Sequence, residues 1–133
     1  MPAHLLYTDG GARGNPGPAA IGFILMQGNK IIQKQGEKIG EATNNVAEYE
    51  AVFRGLTKAQ AMGIKNLECR LDSLLVCEQL NQRYKIKDPN LGKLFVKIWN
   101  LMPNFEKITF NYIPREENAL ADNLVNQALD GKV

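Results

Sequence analysis

The stretch that decides the fold is Tyr7-Thr8-Asp9-Gly10-Gly11-Ala12-Arg13-Gly14-Asn15-Pro16-Gly17-Pro18. The apolar residues that lead into it predict a strand over residues 4–8, which carries the chain directly to the carboxylate of Asp9. Four glycines and two prolines follow within nine residues. Glycine lets another molecule approach the backbone closely, and proline stiffens a turn. An acid at a strand end beside such a loop is typical of a site, although Asp-Gly is also a common turn pair.

Glu48 is the second acid in an unusual setting. It falls on the strongest predicted helix, residues 43–62, four residues before Val52 and in line with the apolar stripe that continues through Leu56. A glutamate in line with a core-facing stripe is unusual, because a buried charge is costly without partners. The alternative is a first-turn acid that interacts favourably with the helix dipole.

Two more acids, Asp72 and Asp122, complete the set. Asp72 directly follows a predicted strand, and ligands of open α/β sheets bind at the carboxyl ends of strands. Asp122 lies beside apolar residues of the last predicted helix. The predicted strands cover residues 4–8, 20–27, 30–37, 66–71 and 107–113, and the predicted helices cover 43–62, 73–82, 91–102 and 119–129. The order β-β-β-α-β-α-α-β-α indicates an α/β protein.

The composition excludes several classes of protein. The length of 133 residues predicts a single domain over 1–133. The net charge is +2, from 16 basic and 14 acidic residues, which is too small to indicate a protein that binds a polyanion through its overall charge. Any binding of nucleic acid must therefore come from a local patch. We expect a cytoplasmic protein without a membrane segment, because no apolar run approaches about 20 residues and no signal peptide is recognisable. Cys69, Cys77 and the single histidine, His4, match no zinc motif, and a chain whose only histidine is His4 disfavours a histidine-based triad.

Four carboxylates without histidine or cysteine partners point to hard cations such as Mg²⁺ or Mn²⁺. Clustered carboxylates repel one another and need a cation or shifted pKa values to coexist. Two divalent ions about 4 Å apart are the usual machinery for in-line attack of water on a phosphodiester. The spacing by itself leaves open whether the acids converge.

The ordered motifs of the chain resemble those of ribonuclease HI. The matching segments are Thr8-Asp9-Gly10-Gly11, Gly14-Asn15-Pro16-Gly17, Thr43-Asn44-Asn45-Val46-Ala47-Glu48, Leu71-Asp72-Ser73, Pro114-Arg115-Glu116-Glu117-Asn118 and Ala121-Asp122. The resemblance spans nearly the whole chain and implies a ribonuclease H-like fold, with a five-stranded mixed sheet in the order 3-2-1-4-5 flanked by helices. It also implies cleavage of the RNA strand of RNA/DNA hybrids with two Mg²⁺ ions, leaving 5′-phosphate and 3′-hydroxyl ends, with Mn²⁺ as a substitute.

The resemblance assigns roles residue by residue. It makes Asp9, Glu48, Asp72 and Asp122 the catalytic, metal-binding acids, with Asp9 bridging both ions. It makes Asn15, Asn44 and Asn45 minor-groove contacts, where amides can read the 2′-hydroxyls of RNA. It makes Thr43 a contact to the DNA-strand phosphate and places Gly10, Gly11 and Ser73 among the substrate-binding residues. For Asn44 and Asn45, helix capping is the alternative, and one residue can serve each role.

Three features depart from the best-known members of that family. The loop before the last acid has no histidine, and Arg115 in that loop resembles the arginine of the archaeal-type branch. It is expected to contact phosphate or the leaving side, the alternative being a solvated loop charge. Leu74 stands where the family often has a glutamine that reads the minor groove. No long basic insertion follows the second helix, and only the run containing Arg83 and Lys85 remains as a candidate handle for the DNA strand, the alternative being an ordinary exposed loop.

The preferred hypothesis is a monomeric, metal-dependent endoribonuclease acting on RNA/DNA hybrids. One alternative is an enzyme of relaxed specificity that also cuts double-stranded RNA. A catalytically idle nucleic-acid-binding module is disfavoured, because four converging carboxylates repel phosphate without metal. A domain detached from a reverse transcriptase is disfavoured by the initial Met1 and by the complete pattern, and sugar kinases of the same fold need a much longer chain.

Overall fold

The computed structural model describes residues 4–132, and within them it forms one five-stranded sheet with four α-helices. The elements are β1 (His4–Ala12), β2 (Gly17–Gln27), β3 (Lys30–Ala42), α1 (Asn44–Ala61), β4 (Asn66–Leu71), α2 (Leu74–Leu80), α3 (Pro89–Leu101), β5 (Lys107–Tyr112) and α4 (Ala119–Leu129). Short 3-10 turns lie at Met102–Asn104 and Arg115–Glu117. In this described range, no helix combines the length and the apolar character that crossing a membrane requires.

The predicted strand order 3-2-1-4-5 is confirmed. β1 pairs antiparallel with β2 and parallel with β4, and β5 pairs parallel with β4, so that β1 is the strand at which the direction of pairing changes. The parallel ladder between β1 and β4 ends at the pair Thr8 and Leu71. Asp9 and Asp72 are therefore the first residues beyond that ladder on two neighbouring strands.

The prediction that the first strand ends at residue 8 is wrong. β1 continues to Ala12, because β2 pairs with it as far as Ala12 and Ala19 after the parallel partner has diverged. The loop between the first two strands covers only residues 13–16. The third strand, predicted to end at residue 37, continues to Ala42. Asp9 thus lies within a paired strand, which holds its backbone more rigidly than a loop would.

The main core lies between the sheet and α1. The predicted stripe of α1 is confirmed, since Val52, Leu56 and Ala59 are fully buried, and Glu48 lies in line with them. α2 ends at Leu80 rather than at residue 82, because Gln82 adopts a positive φ of 61° that a helix cannot accommodate. α3 begins two residues earlier than predicted, at Pro89, because the side chain of Asp88 caps it.

α4 packs on the face of the sheet opposite to α1, and glycines allow both helices to approach it. A Cβ built on Gly10 would lie 2.2 Å from the carbonyl carbon of Ala47 in α1, and one on Gly22 would lie 2.6 Å from the carbonyl oxygen of Ala121 in α4. Gly22 pairs with Asp9 across β1 and β2. Since paired residues share a face of the sheet, the missing side chain of Gly22 lets α4 come down beside Asp9.

We expect Gly22→Ala to lower the free energy of unfolding by about 1–3 kcal/mol, because the added methyl group overlaps the backbone of α4. Chemical denaturation would measure the change. Gly92→Ala is the matched control: a Cβ at Gly92 meets no atom within 4 Å, and alanine favours the helix, so its stability should equal or exceed that of the wild type. Equal stability of the Gly22→Ala variant and the wild type would contradict this account of how α4 packs.

Candidate active site

Three carboxylates converge where β1 and β4 part. Asp9, Glu48 and Asp72 each offer one oxygen atom, and these atoms all lie within 4.8 Å of one another. Asp9 and Glu48 are only 7% and 8% exposed, and Asp72 is half-buried. The cluster joins β1, the first turns of α1 and the residue that follows β4, which are distant in sequence.

The backbone of Gly10 fixes the positions of two of these acids. Its N–H lies 2.8 Å from Oε1 of Glu48 and 3.0 Å from Oδ1 of Asp9. The Glu48 contact requires the first turns of α1 to touch β1, which only a residue without Cβ permits. Gly10 was predicted as a substrate-binding residue, and in the structure its N–H is directed at the acids.

Asp122 is the fourth acid and approaches from α4, on the side of Asp9. It is half-buried and lies outside the group of three carboxylates described above. Its carboxylate is near enough to Asp9 to contribute to the raised pKa of the Asp9 carboxyl, and Nη2 of Arg115 lies 3.8 Å from its Oδ1. The Arg115 side chain is 81% exposed, so it borders the cluster while remaining open to solvent.

The electrostatics of the cluster oppose full ionisation. Burial, then the charge of Asp72 and then Asp122 raise the pKa of Asp9 to about 8. Burial and the charge of Asp9 also raise the pKa of Glu48 well above its usual range. The pKa of Asp72 is raised by burial, against which the amide of Asn118 and the charge of Arg115 act. A divalent cation would relieve this repulsion, and a set of carboxylate oxygens fits Mg²⁺ or Mn²⁺.

The predicted minor-groove residues line the junction of the 13–16 loop with the start of α1. Oδ1 of Asn15 accepts from the backbone N–H of Asn44 at 3.0 Å, and Oδ1 of Asn44 accepts from the N–H of Ala12 at 2.8 Å. Thr43 caps α1 by accepting from the N–H of Val46 at 3.2 Å. Within residues 4–132 no hydrogen bond engages the side chain of Asn45. Asn15, Thr43 and Asn44 therefore build the local backbone, and Asn45 keeps a free amide.

The other predicted contact residues have local roles. Gly11 faces α4, with room for a methyl group 3.7 Å from Val125. Ser73 caps α2 by accepting from Val76 at 3.3 Å, and the following Leu74 is 50% exposed.

The predicted handle on the loop after α2 lies outside the acid cluster. The guanidinium of Arg83 makes two hydrogen bonds to Glu78, at 2.7 and 2.8 Å. The backbone carbonyl of Lys85 accepts from Nε2 of Gln79, and Lys85 is exposed. Arg83, predicted as part of a candidate handle for the DNA strand, is thus paired with an acid of its own segment, five residues earlier in the chain.

Asn118 lies at the site, although it is not among the site residues predicted from the sequence. It is 1% exposed, and its Nδ2 donates to the backbone oxygen of Thr8 at 2.8 Å and to Oδ2 of Asp72 at 3.0 Å. In the sequence it is only a polar residue before a helix, which indicates a cap. Its contact across 110 residues with β1 has no local sequence signal.

Comparison with known proteins agrees with this geometry. A family model described as "Reverse transcriptase-like" matches residues 7–128. The chain is 42% identical over 125 residues to ribonuclease HI of Halobacterium salinarum, an alignment that covers 93% of this chain and 63% of that protein. The chain belongs to the ribonuclease H family. The crystal structure of the H. salinarum RNase H1 superposes with a TM-score of 0.94, at 41% identity, over 97% of this chain and 98% of that one.

This member of the ribonuclease H family is also similar to a longer protein and to a relative solved with nucleic acid. It is 40% identical over 128 residues to the bifunctional protein Rv2228c of Mycobacterium tuberculosis, covering 95% of this chain. It spans only 35% of the length of that relative. It also superposes on LC11-RNase H1 in complex with an RNA/DNA hybrid, with a TM-score of 0.91, at 44% identity, over 96% of this chain and 97% of that one.

We expect the metal-free protein to lose stability as the pH rises from about 5 to about 8. In this range the folded state keeps a proton on Asp9, whose pKa is about 8, whereas the unfolded chain has released it above the ordinary value of 3.8. The unfolded state then binds fewer protons, so raising the pH favours unfolding. Melting temperatures measured in chelator and in Mg²⁺ would test this, with Mg²⁺ stabilising more at the higher pH.

Asp9→Asn is the control for this pH dependence. Removal of the ionisable group should flatten the fall in melting temperature and weaken the stabilisation by Mg²⁺. A variant whose melting temperature falls with pH as steeply as that of the wild type would show that Asp9 does not cause the effect.

Proposed function

We propose that this protein is a metal-dependent endoribonuclease that hydrolyses the RNA strand of RNA/DNA hybrids and leaves 5′-phosphate and 3′-hydroxyl ends. The carrying observation is the oxygen-only cluster of Asp9, Glu48 and Asp72, with ligand atoms within 4.8 Å of one another and Asp122 beside it. The 44% identity to LC11-RNase H1, a relative solved with an RNA/DNA hybrid, supports the substrate.

Two Mg²⁺ ions, or Mn²⁺ in their place, would be held by Asp9, Glu48, Asp72 and Asp122. When bound, a pair of such ions activates a water molecule and stabilises the leaving oxygen of an in-line displacement. Asp9 would be the central ligand of this set, because its carboxylate interacts with each of the other three acids. Gly10 orients Glu48 and Asp9 through its N–H, so the ligands are arranged before substrate arrives.

We propose that Arg115 contacts a phosphate of the substrate or the leaving side of the cleaved bond, and that it does not transfer a proton. Its guanidinium lies 3.8 Å from Asp122, is 81% exposed and cannot lose its proton near neutral pH. Its position at the border of the cluster suits a mobile contact to a phosphate oxygen.

We infer that recognition of the RNA strand depends most on Asn45. Its amide has no protein partner among residues 4–132, whereas those of Asn15 and Asn44 hold the loop against α1. A free amide at the rim can bond a 2′-hydroxyl, the group that distinguishes RNA from DNA.

A second candidate is an enzyme that also cuts double-stranded RNA. Leu74 is 50% exposed beside the site and offers no hydrogen bond to a base edge or a sugar, which removes one means of discrimination. An idle binding module is less consistent with the site, because a buried cluster of acids repels phosphate unless cations are present.

We expect modest affinity for the hybrid and only a shallow dependence of that affinity on salt, because the net charge is only +2 and Arg83 is paired with Glu78, which leaves few cations to contact phosphate. Lys85 and Lys87 remain as exposed cations of that loop. A single domain over residues 1–133, a monomeric state and a cytoplasmic location stay predictions.

The decisive experiment uses strand-labelled RNA/DNA hybrid, double-stranded RNA, single-stranded RNA and double-stranded DNA, each with Mg²⁺, Mn²⁺ or a chelator. We expect cutting only in the RNA of the hybrid and only with metal. Asp72→Asn should abolish cutting, because an amide oxygen cannot replace the anionic ligand, while the melting temperature stays close to that of the wild type.

The other outcomes separate the candidates. Cutting of double-stranded RNA as well would favour the enzyme of relaxed specificity. Absence of cutting with every substrate would favour the binding module, and wild-type activity of Asp72→Asn would refute the role of the acid cluster.

For strand recognition we predict different results for neighbouring asparagines. Asn45→Ala should reduce kcat/KM on the hybrid by roughly fivefold, the equivalent of one hydrogen bond of about 1 kcal/mol, without changing the melting temperature. Asn44→Ala, the comparison variant, should lower the melting temperature, because it removes the acceptor of the Ala12 N–H. Unchanged preference for RNA over DNA in Asn45→Ala would exclude this residue from recognition.

A further inference from the structure

Asn118 stands directly before α4 and connects three parts of the site. Its Nδ2 donates to the carbonyl oxygen of Thr8 at 2.8 Å and to Oδ2 of Asp72 at 3.0 Å. Its own backbone oxygen accepts from the N–H of Asp122 at 3.1 Å. One residue thus contacts β1, the acid that follows β4 and the acid on α4.

The chemistry of the two acceptors fixes the orientation of the Asn118 amide. A carbonyl oxygen and an ionised carboxylate can only accept, so the NH₂ end must face both of them. The other end, Oδ1, is then buried without a partner among the described residues. A buried unsatisfied oxygen costs free energy, which a residue chosen only for stability would avoid.

Helix capping does not account for Asn118. An asparagine at this position commonly bonds the exposed N–H groups of the first turn, but the Asn118 side chain makes no such bond to α4. The NH₂ group of Asn118 instead donates to Thr8 and Asp72, at the point where the parallel ladder of β1 and β4 ends. The amide therefore serves the junction between the strands and Asp72, rather than the helix.

We propose that Asn118 is a positioning residue that holds the carboxylate of Asp72 in the orientation required to bind a divalent cation. The bond to Oδ2 restricts rotation of the carboxylate, and the bond to Thr8 anchors the amide to the strand that carries Asp9. Partners that orient metal-binding side chains in this way commonly change metal affinity or activity by about 10–100-fold when they are replaced. This inference rests on the proposed function.

The test uses Asn118→Ala and the nearly isosteric Asn118→Asp, titrated with Mn²⁺ by calorimetry in the metal-free state and assayed on an RNA/DNA hybrid. We expect Asn118→Ala to weaken Mn²⁺ binding by about 10–100-fold and to lower kcat rather than raise KM, with partial recovery of kcat at high metal concentration. Asn118→Asp should lose more, because it places a carboxylate oxygen against two acceptors.

Asn111→Ala is the matched control. Nδ2 of Asn111 also donates to a carboxylate oxygen, that of Glu68, at 3.0 Å, but on the exposed part of β5. Its Mn²⁺ affinity and kcat should equal those of the wild type.

Wild-type Mn²⁺ affinity and kcat in a folded Asn118→Ala protein, accompanied only by a lower melting temperature, would overturn the proposal. If Asn118→Ala does not fold, the same comparison is made with Asn118→Ser, which removes the amide donors without adding a charge. The Mn²⁺ titration also separates this proposal from the proposed function, because it needs no substrate. A wild-type protein that cuts no hybrid would refute the activity, and the metal affinities would still decide the role of Asn118.

Discussion

The mutual repulsion of buried carboxylates, at the point where β1 and β4 part, is the constraint on which the rest of the structure depends. Asp9 and Glu48 are largely removed from water and face Asp72, so burial and like charge together raise their pKa values. An arrangement of this kind opposes folding unless protons or cations compensate. The packed fold therefore holds together a set of carboxylate oxygens that fits a divalent cation.

Close backbone contacts hold this unfavourable cluster in place. Gly10 lets α1 touch β1 and gives its N–H to Glu48, and Gly22 lets α4 descend beside Asp9 on the other face. The apolar stripe of α1, with Val52 and Leu56 fully buried, anchors the helix on which Glu48 is carried. Packing of the core thus opposes the electrostatic repulsion, and rigid elements rather than loops carry three of the four acids.

The surroundings of the cluster divide into parts that shape it and parts that remain free. Backbone N–H groups of the protein donate hydrogen bonds to the side-chain oxygens of Asn15, Asn44 and Thr43, and Arg83 is paired with Glu78. Asn45, Arg115 and Lys85 keep polar groups open to solvent or to a ligand. Few polar side chains around the cluster are therefore left to contact a ligand, and the net charge of the chain is only +2.

The sequence by itself determined the α/β class and the order of elements, because apolar periodicity and glycine or proline at turns are local signals. It singled out four acids, and the structure brings oxygen atoms of three of them within 4.8 Å of one another. It misjudged the end of β1, since pairing with β2 extends the strand to Ala12. Only the tertiary structure decided that Gly10 serves Glu48, that Glu78 neutralises Arg83 and that Asn118 bridges Thr8 and Asp72. These contacts depend on which surfaces meet when distant segments pack, and no local pattern of residue types encodes them.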